Sequence, residues 1–258
     1  MQLGFIGTGE ITASIVTGLR SFRAASTDTI HLSPRNPAIA NSLANRFGGI
    51  CIASCNQELL DRSDMIVIAV RPPAARSVLL ESRFRADHQV ISLVSGLSLR
   101  SLRELVAPAT RITRAVPLPS AAKRLSPTAI YPPDRAACDL FADLGTVFAV
   151  ESEKVFDAMC ATTATIAFYL TFTERIASWL AKHEVPESEA KEYIARLFLG
   201  VSTSAVDTSH GSFQSLAASH ATAGGLNEQL LKQLVERDLL KSVSESLDAI
   251  LDRISRSQ

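Results

Sequence analysis

The stretch GFIGTGEITASIVTGL, residues 4–19, constrains this chain more than any other. A short apolar run, QLGFI, ends in Gly7-Thr8-Gly9 and passes at once into a helical pattern opened by Glu10 and Ile11. Strand, glycine turn and helix in that order form the first half of a βαβ unit. Gly7 and Gly9 fill the first two positions of a G-x-G-x-x-G/A turn. Glycine at the first permits the tight turn, and glycine at the second lets the backbone approach a pyrophosphate. The following helix offers free N–H groups and the positive end of its dipole. The third position is Thr12, so a branched side chain must fit where helix and strand pack closely. The expectation is a dinucleotide held by Gly7, Thr8, Gly9, Glu10 and Ile11.

The rest of the N-terminal half continues the alternation. QLGFI, TIHLS, DMIVIAV, QVISLV, TRITRAV and TAIYP read as strands. EITASIVTGLRSF, AIANSLANRF, PAARSVLLESRF and DRAACDLFADLG read as helices between them. A run such as MIVIAV, apolar at nearly every position, suits a strand buried on both faces of a parallel sheet. This predicts an α/β fold, a Rossmann-type doubly wound sheet with right-handed crossovers. Near residue 150 the composition changes: ten of the eleven prolines precede it, and only Pro186 follows. Beyond Glu151 the strand signal disappears. SEKVFDAMCATTATIAFYLTFTERIASWLAKHEV is helical in period, and Pro186 sits at the first turn of PESEAKEYIARLFLGVSTSAVDT. GSFQSLAAS, LNEQLLKQLVERD and a tail to residue 255 complete an all-α part. The first long helix is apolar on more than one face, which suits central burial or sharing with a second subunit. The expected domains are a dinucleotide-binding domain over 1–150 and a helical substrate and dimerisation domain over 151–258.

The end of the second strand bears on which dinucleotide. An NAD enzyme usually carries Asp or Glu there, on the ribose 2′-OH. This chain has Ser33, Arg35 and Asn36. A carboxylate would repel a 2′-phosphate, whereas a hydroxyl and a guanidinium would bind it. The expectation is NADP(H) in preference to NAD(H). AVRPP follows DMIVIAV, so Ala69, Val70, Arg71 and Pro72 are expected along the cofactor's adenosine and ribose path. Ser95 and Gly96 follow ISLV and are expected near the nicotinamide. Asn56 precedes the helical QELLDRSD and reads equally as an N-cap or a ribose contact.

Composition excludes other classes. Hydrophobic residues are 47% and charged residues 20%, with no formal net charge. A balanced charge gives no electrostatic reason for nucleic acid or an anionic membrane as partner. No stretch reaches the roughly 18–20 uninterrupted apolar residues of a membrane span. MQLGFIGTGE lacks the basic and apolar regions of a signal peptide. Cys51, Cys55, Cys138 and Cys160 form no CxxC pair, and no histidine stands at zinc spacing from them. Reduced, inert thiols, no metal and a cytoplasmic location are expected.

Together these pieces resemble the pyrroline-5-carboxylate reductase family. Residues 4–19 track its G-F-I-G-x-G-x-M-A-x-A-I-x-x-G-L opening. SPRN resembles its S-N-R loop, Ala69–Pro72 its A-V-K-P turn with Arg71 for Lys, VSGLS its A-A-G-I-S segment, and RAVPLPS part of its R-x-M-P-N-T-P segment. The resemblance spans most of the chain. It implies reduction of a C=N bond by NADPH, proline formation from pyrroline-5-carboxylate or reduction of a related cyclic imine, and an interlocked homodimer or larger assembly built by the C-terminal helices.

The departures cluster where the family holds substrate. P-N-T-P becomes Pro117-Leu118-Pro119-Ser120, and G-S-G-P-A-Y becomes ATTATIAFY. S-P-G-G-T-T becomes TAGGLN, keeping Gly224 and Gly225 but replacing two threonines by Leu226 and Asn227. One of those threonines is a candidate proton donor in the family. Asn can hydrogen-bond but is no practical acid. A changed imine or amino-acid-derived substrate is therefore expected. The candidate pocket residues are Thr162, Thr163, Thr165, Thr222, Gly224 and Gly225. His220, Asn227 and Tyr169 are the candidate catalytic groups, His220 because imidazole exchanges protons near neutrality. The dense threonines equally suit a helix kink or hydroxyls bonded back to backbone.

Three other readings compete. A β-hydroxyacid dehydrogenase-type enzyme shares the overall plan, but needs a lysine on the long helix, and none lies between Lys154 and Lys182. A non-catalytic NADP-binding sensor would explain the lost polar residues. Arg114 or Lys123, flanking AVPLPSAA, could pair with the carboxylate of a different amino or keto acid.

Overall fold

A computed structural model describes residues 2–22, 28–206 and 211–256. Two compact units divide them: the described residues up to Ala161, joined by those from Leu251 onward, and Thr162–Ile250. The composition change at residue 150 precedes this division, because the helix Glu153–Thr162 packs almost wholly with the sheet.

In the first unit the strands are β1 (Gln2–Ile6), β2 (Thr29–Leu32), β3 (Ile50–Ile52), β4 (Met65–Ile68), β5 (Gln89–Ser92), β6 (Arg111–Val116), β7 (Ser126–Tyr131) and β8 (Gly145–Ala149). The helices are α1 (Glu10–Phe22), α2 (Pro37–Arg46), α3 (Asn56–Asp61), α4 (Pro72–Leu80), α5 (Leu99–Leu105), α6 (Arg135–Ala142) and α7 (Glu153–Thr162). One sheet runs in the order β3-β2-β1-β4-β5-β6-β7-β8. β1 to β6 pair in parallel, β7 runs antiparallel to β6, and β8 is parallel to β7. The reversal at β7 is a departure from an all-parallel sheet. It follows from a short connection through the 3-10 turn Pro119–Lys123, which lets the chain return beside β6 without a crossover helix.

Period-2 alternation explains the burial of MIVI. Met65 and Val67 enter one core with Phe5, Ile15, Leu19 and Phe141, so α1 and α6 cover that face. Ile66 and Ile68 enter the other with Leu59, Leu79 and Leu102, so α3, α4 and α5 cover the opposite face. Each fully buried aliphatic side chain contributes up to about 1.5–3 kcal/mol, which makes this doubly covered strand a main anchor of the unit.

His88 lies immediately before β5, fully buried. Its Nδ1 accepts the Arg85 N–H at 3.0 Å, and its Nε2 lies 3.1 Å from the Leu60 carbonyl oxygen. Only the neutral ring, protonated at Nε2, satisfies both. Burial first, and then the Arg85 charge, hold its pKa below the usual value. Burial, with Arg62 behind it, does the same to His31. A pKa lower in the folded state means that the unfolded chain binds more protons below it. Stability from these rings is therefore full above the unfolded value of about 6.5 and is lost as the pH falls below it. The melting temperature should fall between pH 7 and pH 5, and His88→Gln should flatten that slope. An unchanged slope in the variant would contradict this.

The second unit contains α8 (Thr165–Ala181), α9 (Glu187–Val206), α10 (Phe213–His220), α11 (Leu226–Val235) and most of α12 (Leu239–Arg256). The expected end of α9 at Asp207 and Thr208 lies outside the described residues. Helices α8 and α9 pack through Ala177, Ala190 and Ile194, with Ile176, Leu180 and Phe198 around them. That core is small. Phe168, Leu170, Trp179, Leu199 and Phe213 stand exposed. By length and composition Glu153–Ala181 would also suit a bilayer. Its helix, however, breaks at Thr163 and Ala164, where the reading of one continuous helix fails.

Candidate dinucleotide site

The C-terminal ends of β1, β4 and β5 are neighbours at one edge of the sheet. Gly7 leaves β1 with φ +104, and a Cβ there would stand 2.6 Å from the Ala69 carbonyl oxygen. The close approach of the chain segments leaving β1 and β4 therefore demands glycine. Gly9 differs. A Cβ there meets nothing within 4 Å, and its φ lies outside the left-handed region. Packing gives no reason for glycine at this position, whereas close approach of a ligand does. Gly9 accepts from Ala13 N–H at 2.9 Å, as the cap of α1. The N–H groups of Glu10, Ile11 and Thr12 belong to the first turn of that helix and have no intrahelical acceptor. An anion fits these donors.

Thr12 answers its own departure from glycine. It is fully buried, and its Oγ1 donates to the Gly7 carbonyl at 2.6 Å, so the branched side chain staples the turn it crowds. Thr8 Oγ1 donates to the Ser33 carbonyl at 2.7 Å, and Ser33 Oγ accepts from Gly7 N–H at 2.9 Å. The two hydroxyl oxygens stand 3.1 Å apart. Since the Thr8 proton is committed, Ser33 donates across that gap. Ser33 is thus buried and braces the glycine turn through Gly7 and Thr8.

Arg35 is exposed and makes no ion pair with a described residue. Asn36 caps α2, its Oδ1 accepting from Ile39 N–H at 3.4 Å. Ala69 and Val70 are half-buried beyond β4, and Arg71 is the exposed cap residue of α4 with Pro72 after it. The cap of α3 is Cys55, whose Sγ accepts from Glu58 N–H at 3.5 Å. Asn56 is therefore the first helical residue, and its N-cap reading is corrected. Ser95 is exposed and Gly96 has φ +74, in the turn between β5 and α5.

Arg114 is not available to a substrate carboxylate. It is 1% exposed. Its Nη1 donates to Glu153 Oε1 at 2.7 Å, and its Nη2 lies 3.0 Å from Asp157 Oδ1. Its guanidinium stacks 4.5 Å from the centre of the Phe156 ring. Glu153 and Asp157 stand four apart on α7, so both reach the same cation. That spacing was visible in the sequence, but its partner on β6 was not. Burial pushes the neighbouring Cys160 thiol up to about 12, against the opposing charge of Arg114, which makes it a poor nucleophile. Lys123 is exposed at the end of the 3-10 turn.

In the second unit, five candidate residues gather where α10 meets α11: His220 ends α10, Thr222, Gly224 and Gly225 lie in the loop, and Asn227 stands in the first turn of α11. Asn227 Nδ2 donates to the His220 carbonyl at 3.1 Å. Gly225 N–H donates to the Thr222 carbonyl at 2.8 Å, and Gly224, at φ +71, donates its N–H to Glu228 Oε2 at 2.7 Å. Thr162, Thr163 and Thr165 lie at the break between α7 and α8, where Thr165 Oγ1 donates to the Thr162 carbonyl at 2.7 Å. Tyr169 packs edge-on against Phe198, ring centres 5.9 Å apart.

Comparison with known proteins covers both halves. Residues 2–96 match the family model described as NADP oxidoreductase coenzyme F420-dependent. Residues 153–257 match the model described as pyrroline-5-carboxylate reductase dimerisation. The pyrroline-5-carboxylate reductase of Escherichia coli is 22% identical over 98% of this chain and 96% of its own. That of Methanosarcina acetivorans is 24% identical over 80% of each. The solved Streptococcus pyogenes 1-pyrroline-5-carboxylate reductase superposes with TM-score 0.85 at 26% identity, covering 98% of both chains. A Plasmodium falciparum pyrroline carboxylate reductase with NADP bound superposes with TM-score 0.82 at 21% identity, covering all of this chain and 98% of its own. The strand–glycine–helix turn and the helical second unit thus have one common explanation: the chain belongs to the pyrroline-5-carboxylate reductase family, a family of nicotinamide-dependent oxidoreductases.

Proposed function

We propose that this protein is an NADPH-dependent reductase of a C=N bond, acting on pyrroline-5-carboxylate or a related cyclic imine. The observation that carries this reading is Gly9, a glycine that packing does not require, at the mouth of a helix N-terminus in a chain of this family. When bound, the reduced nicotinamide supplies hydride to the imine carbon. The chain's task is to hold the ring in register and keep water out. Gly7, Thr8, Gly9, Glu10 and Ile11 form the proposed pyrophosphate cradle. Ala69, Val70, Arg71 and Pro72 line the adenosine path, with Asn36 and Asn56 at its side, and Ser95 and Gly96 face the nicotinamide. His220 is the proposed acid for the imine nitrogen, with Asn227 and Tyr169 as its proposed companions. Thr162, Thr163, Thr165, Thr222, Gly224 and Gly225 are proposed for the substrate. The exposed apolar residues of α8 to α11 support a homodimer through the helical unit, and the family model on that region has dimerisation in its description.

Arg35, exposed and free of ion pairs among the described residues, supports NADP(H) over NAD(H). A guanidinium–phosphate pair of this kind is worth about 1.5–3 kcal/mol. Arg35→Asp should raise the KM for NADPH about tenfold or more while leaving that for NADH within about twofold. Equal effects on both would refute the assignment. The test of function is oxidation of NADPH with pyrroline-5-carboxylate and a panel of five- and six-membered cyclic imines. Turnover of pyrroline-5-carboxylate or another imine supports the reading. Tight NADPH binding with no turnover on any imine would replace it by the sensor reading.

A further inference from the structure

Glu153 has a place in the fold that no catalytic motif assigns. Its Oε1 accepts two hydrogen bonds, from Leu99 N–H and from Arg114 Nη1, each at 2.7 Å. Leu99 is the first residue of α5. Arg114 pairs in the sheet with Ser92, the last residue of β5. One carboxylate oxygen thus holds the α5 end of the segment 93–98 directly, through Leu99, and reaches its β5 end through Arg114 on the neighbouring strand. That segment contains Ser95 and Gly96, the proposed nicotinamide contacts. Within it, Val94 N–H donates to Ser92 Oγ at 3.3 Å, and Ser98 Oγ caps α5. Among the described residues no hydrogen bond is made by Ser95 or Gly96 themselves. The turn is held at its ends, and Glu153 is the clamp that joins them.

We infer that Glu153 is a positioning residue for the nicotinamide end of the cofactor, acting through the 93–98 turn; the inference rests on the dinucleotide reading above. Its removal is not equivalent to removing Arg114. Without Glu153 the guanidinium keeps Asp157 at 3.0 Å and the face of Phe156, so no buried cation is orphaned. The turn alone is released. The Gly7–Gly9 cradle and Arg35 lie on other elements and keep their grip on pyrophosphate and 2′-phosphate.

The experiment compares wild type, Glu153→Ala and Glu153→Gln in the full chain. NADPH affinity is read by titration, and the nicotinamide environment by the fluorescence lifetime of the bound reduced coenzyme. In Glu153→Ala the Kd should stay within about threefold, while the lifetime shortens toward that of free NADPH. With an imine substrate, kcat should fall about 30-fold or more with the KM for NADPH little changed, as expected for a misplaced reacting ring. Glu153→Gln keeps an acceptor for Leu99 and should recover most of the loss, and it serves as the readout if the alanine variant fails to fold. A wild-type lifetime in the alanine variant, or a glutamine variant as impaired as alanine, would overturn the inference. So would loss of affinity in step with the lifetime. If the wild type binds NADPH but reduces no imine, the functional reading fails and the lifetime comparison still decides this one. A wild type that binds no NADPH overturns both.

Discussion

Replacing Gly9 by aspartate should abolish NADPH binding and leave the melting temperature unchanged or slightly raised. The reason lies in what surrounds the position. A Cβ at Gly9 meets nothing within 4 Å, and the backbone there is not in the left-handed region. Gly9 also caps α1, since its carbonyl accepts from Ala13 N–H. Aspartate is among the best N-cap residues and adds favourable charge to the positive helix end. The fold should therefore tolerate it. The same carboxylate occupies the cradle proposed for a pyrophosphate and repels it. The Kd should rise at least about 100-fold, equivalent to about 2.7 kcal/mol. Gly7→Ala should behave in the opposite way. Its Cβ would stand 2.6 Å from the Ala69 carbonyl oxygen at φ +104, so the loss appears first in stability. Titration of coenzyme fluorescence alongside thermal melts separates the two. Equal loss of stability and binding in Gly9→Asp would show that Gly9 serves packing after all.

The largest stability effect should come from Arg114→Met. The guanidinium is 1% exposed and holds Glu153 at 2.7 Å and Asp157 at 3.0 Å. Methionine fits the aliphatic volume but leaves two partly or wholly buried carboxylates facing one another. Removing one member of a buried ion pair costs about 3–5 kcal/mol, because the remaining charge stays desolvated. At about 2–4 °C per kcal/mol for a chain of this size, the melting midpoint should fall roughly 10 °C. The exposed pair Arg100–Glu104, 3.9 Å apart, provides the control. Arg100→Met should change stability by less than about 1 kcal/mol, since such pairs contribute little in water. A melting curve for Arg114→Met matching that of Arg100→Met would contradict the account of the network.

How much of this was legible in the sequence differs by element. The first helix was read with the bounds it has, 10–22, because an N-cap glycine and a clear period fix it. The strand MIVI was legible because it is buried on both faces. β3 was missed: ICI has three residues, two of them exposed at a sheet edge, too short for any period to register. The helix LRSLREL was missed because its seven residues span only two turns, too few for a helical period to register. The long helical reading from 152 to 185 ran through a break that its threonines mark. Periodicity continues across a single non-helical turn and cannot locate it.

The site shows the same limit in chemical terms. Residue types identified the glycine turn and the arginine beside it. They did not reveal that the Ser33 hydroxyl is already committed to Gly7 and Thr8, which depends on β2 ending beside the turn. Nor did they reveal that Arg114 faces inward. An arginine beside an altered substrate motif looks free until α7 brings Glu153 and Asp157 to it. Contacts between residues far apart in sequence decided both roles.

The most direct test of the central claim is transfer of the label itself. The protein is incubated with NADPH carrying deuterium at both positions of nicotinamide C4 and with pyrroline-5-carboxylate, or with whichever imine of the panel oxidises the coenzyme. The product is then analysed by mass spectrometry. The account predicts an amine one mass unit heavier, with deuterium on the former imine carbon, formed in proportion to NADPH consumed. Coenzyme consumed without deuterium in the amine, or no consumption with any imine, would contradict it.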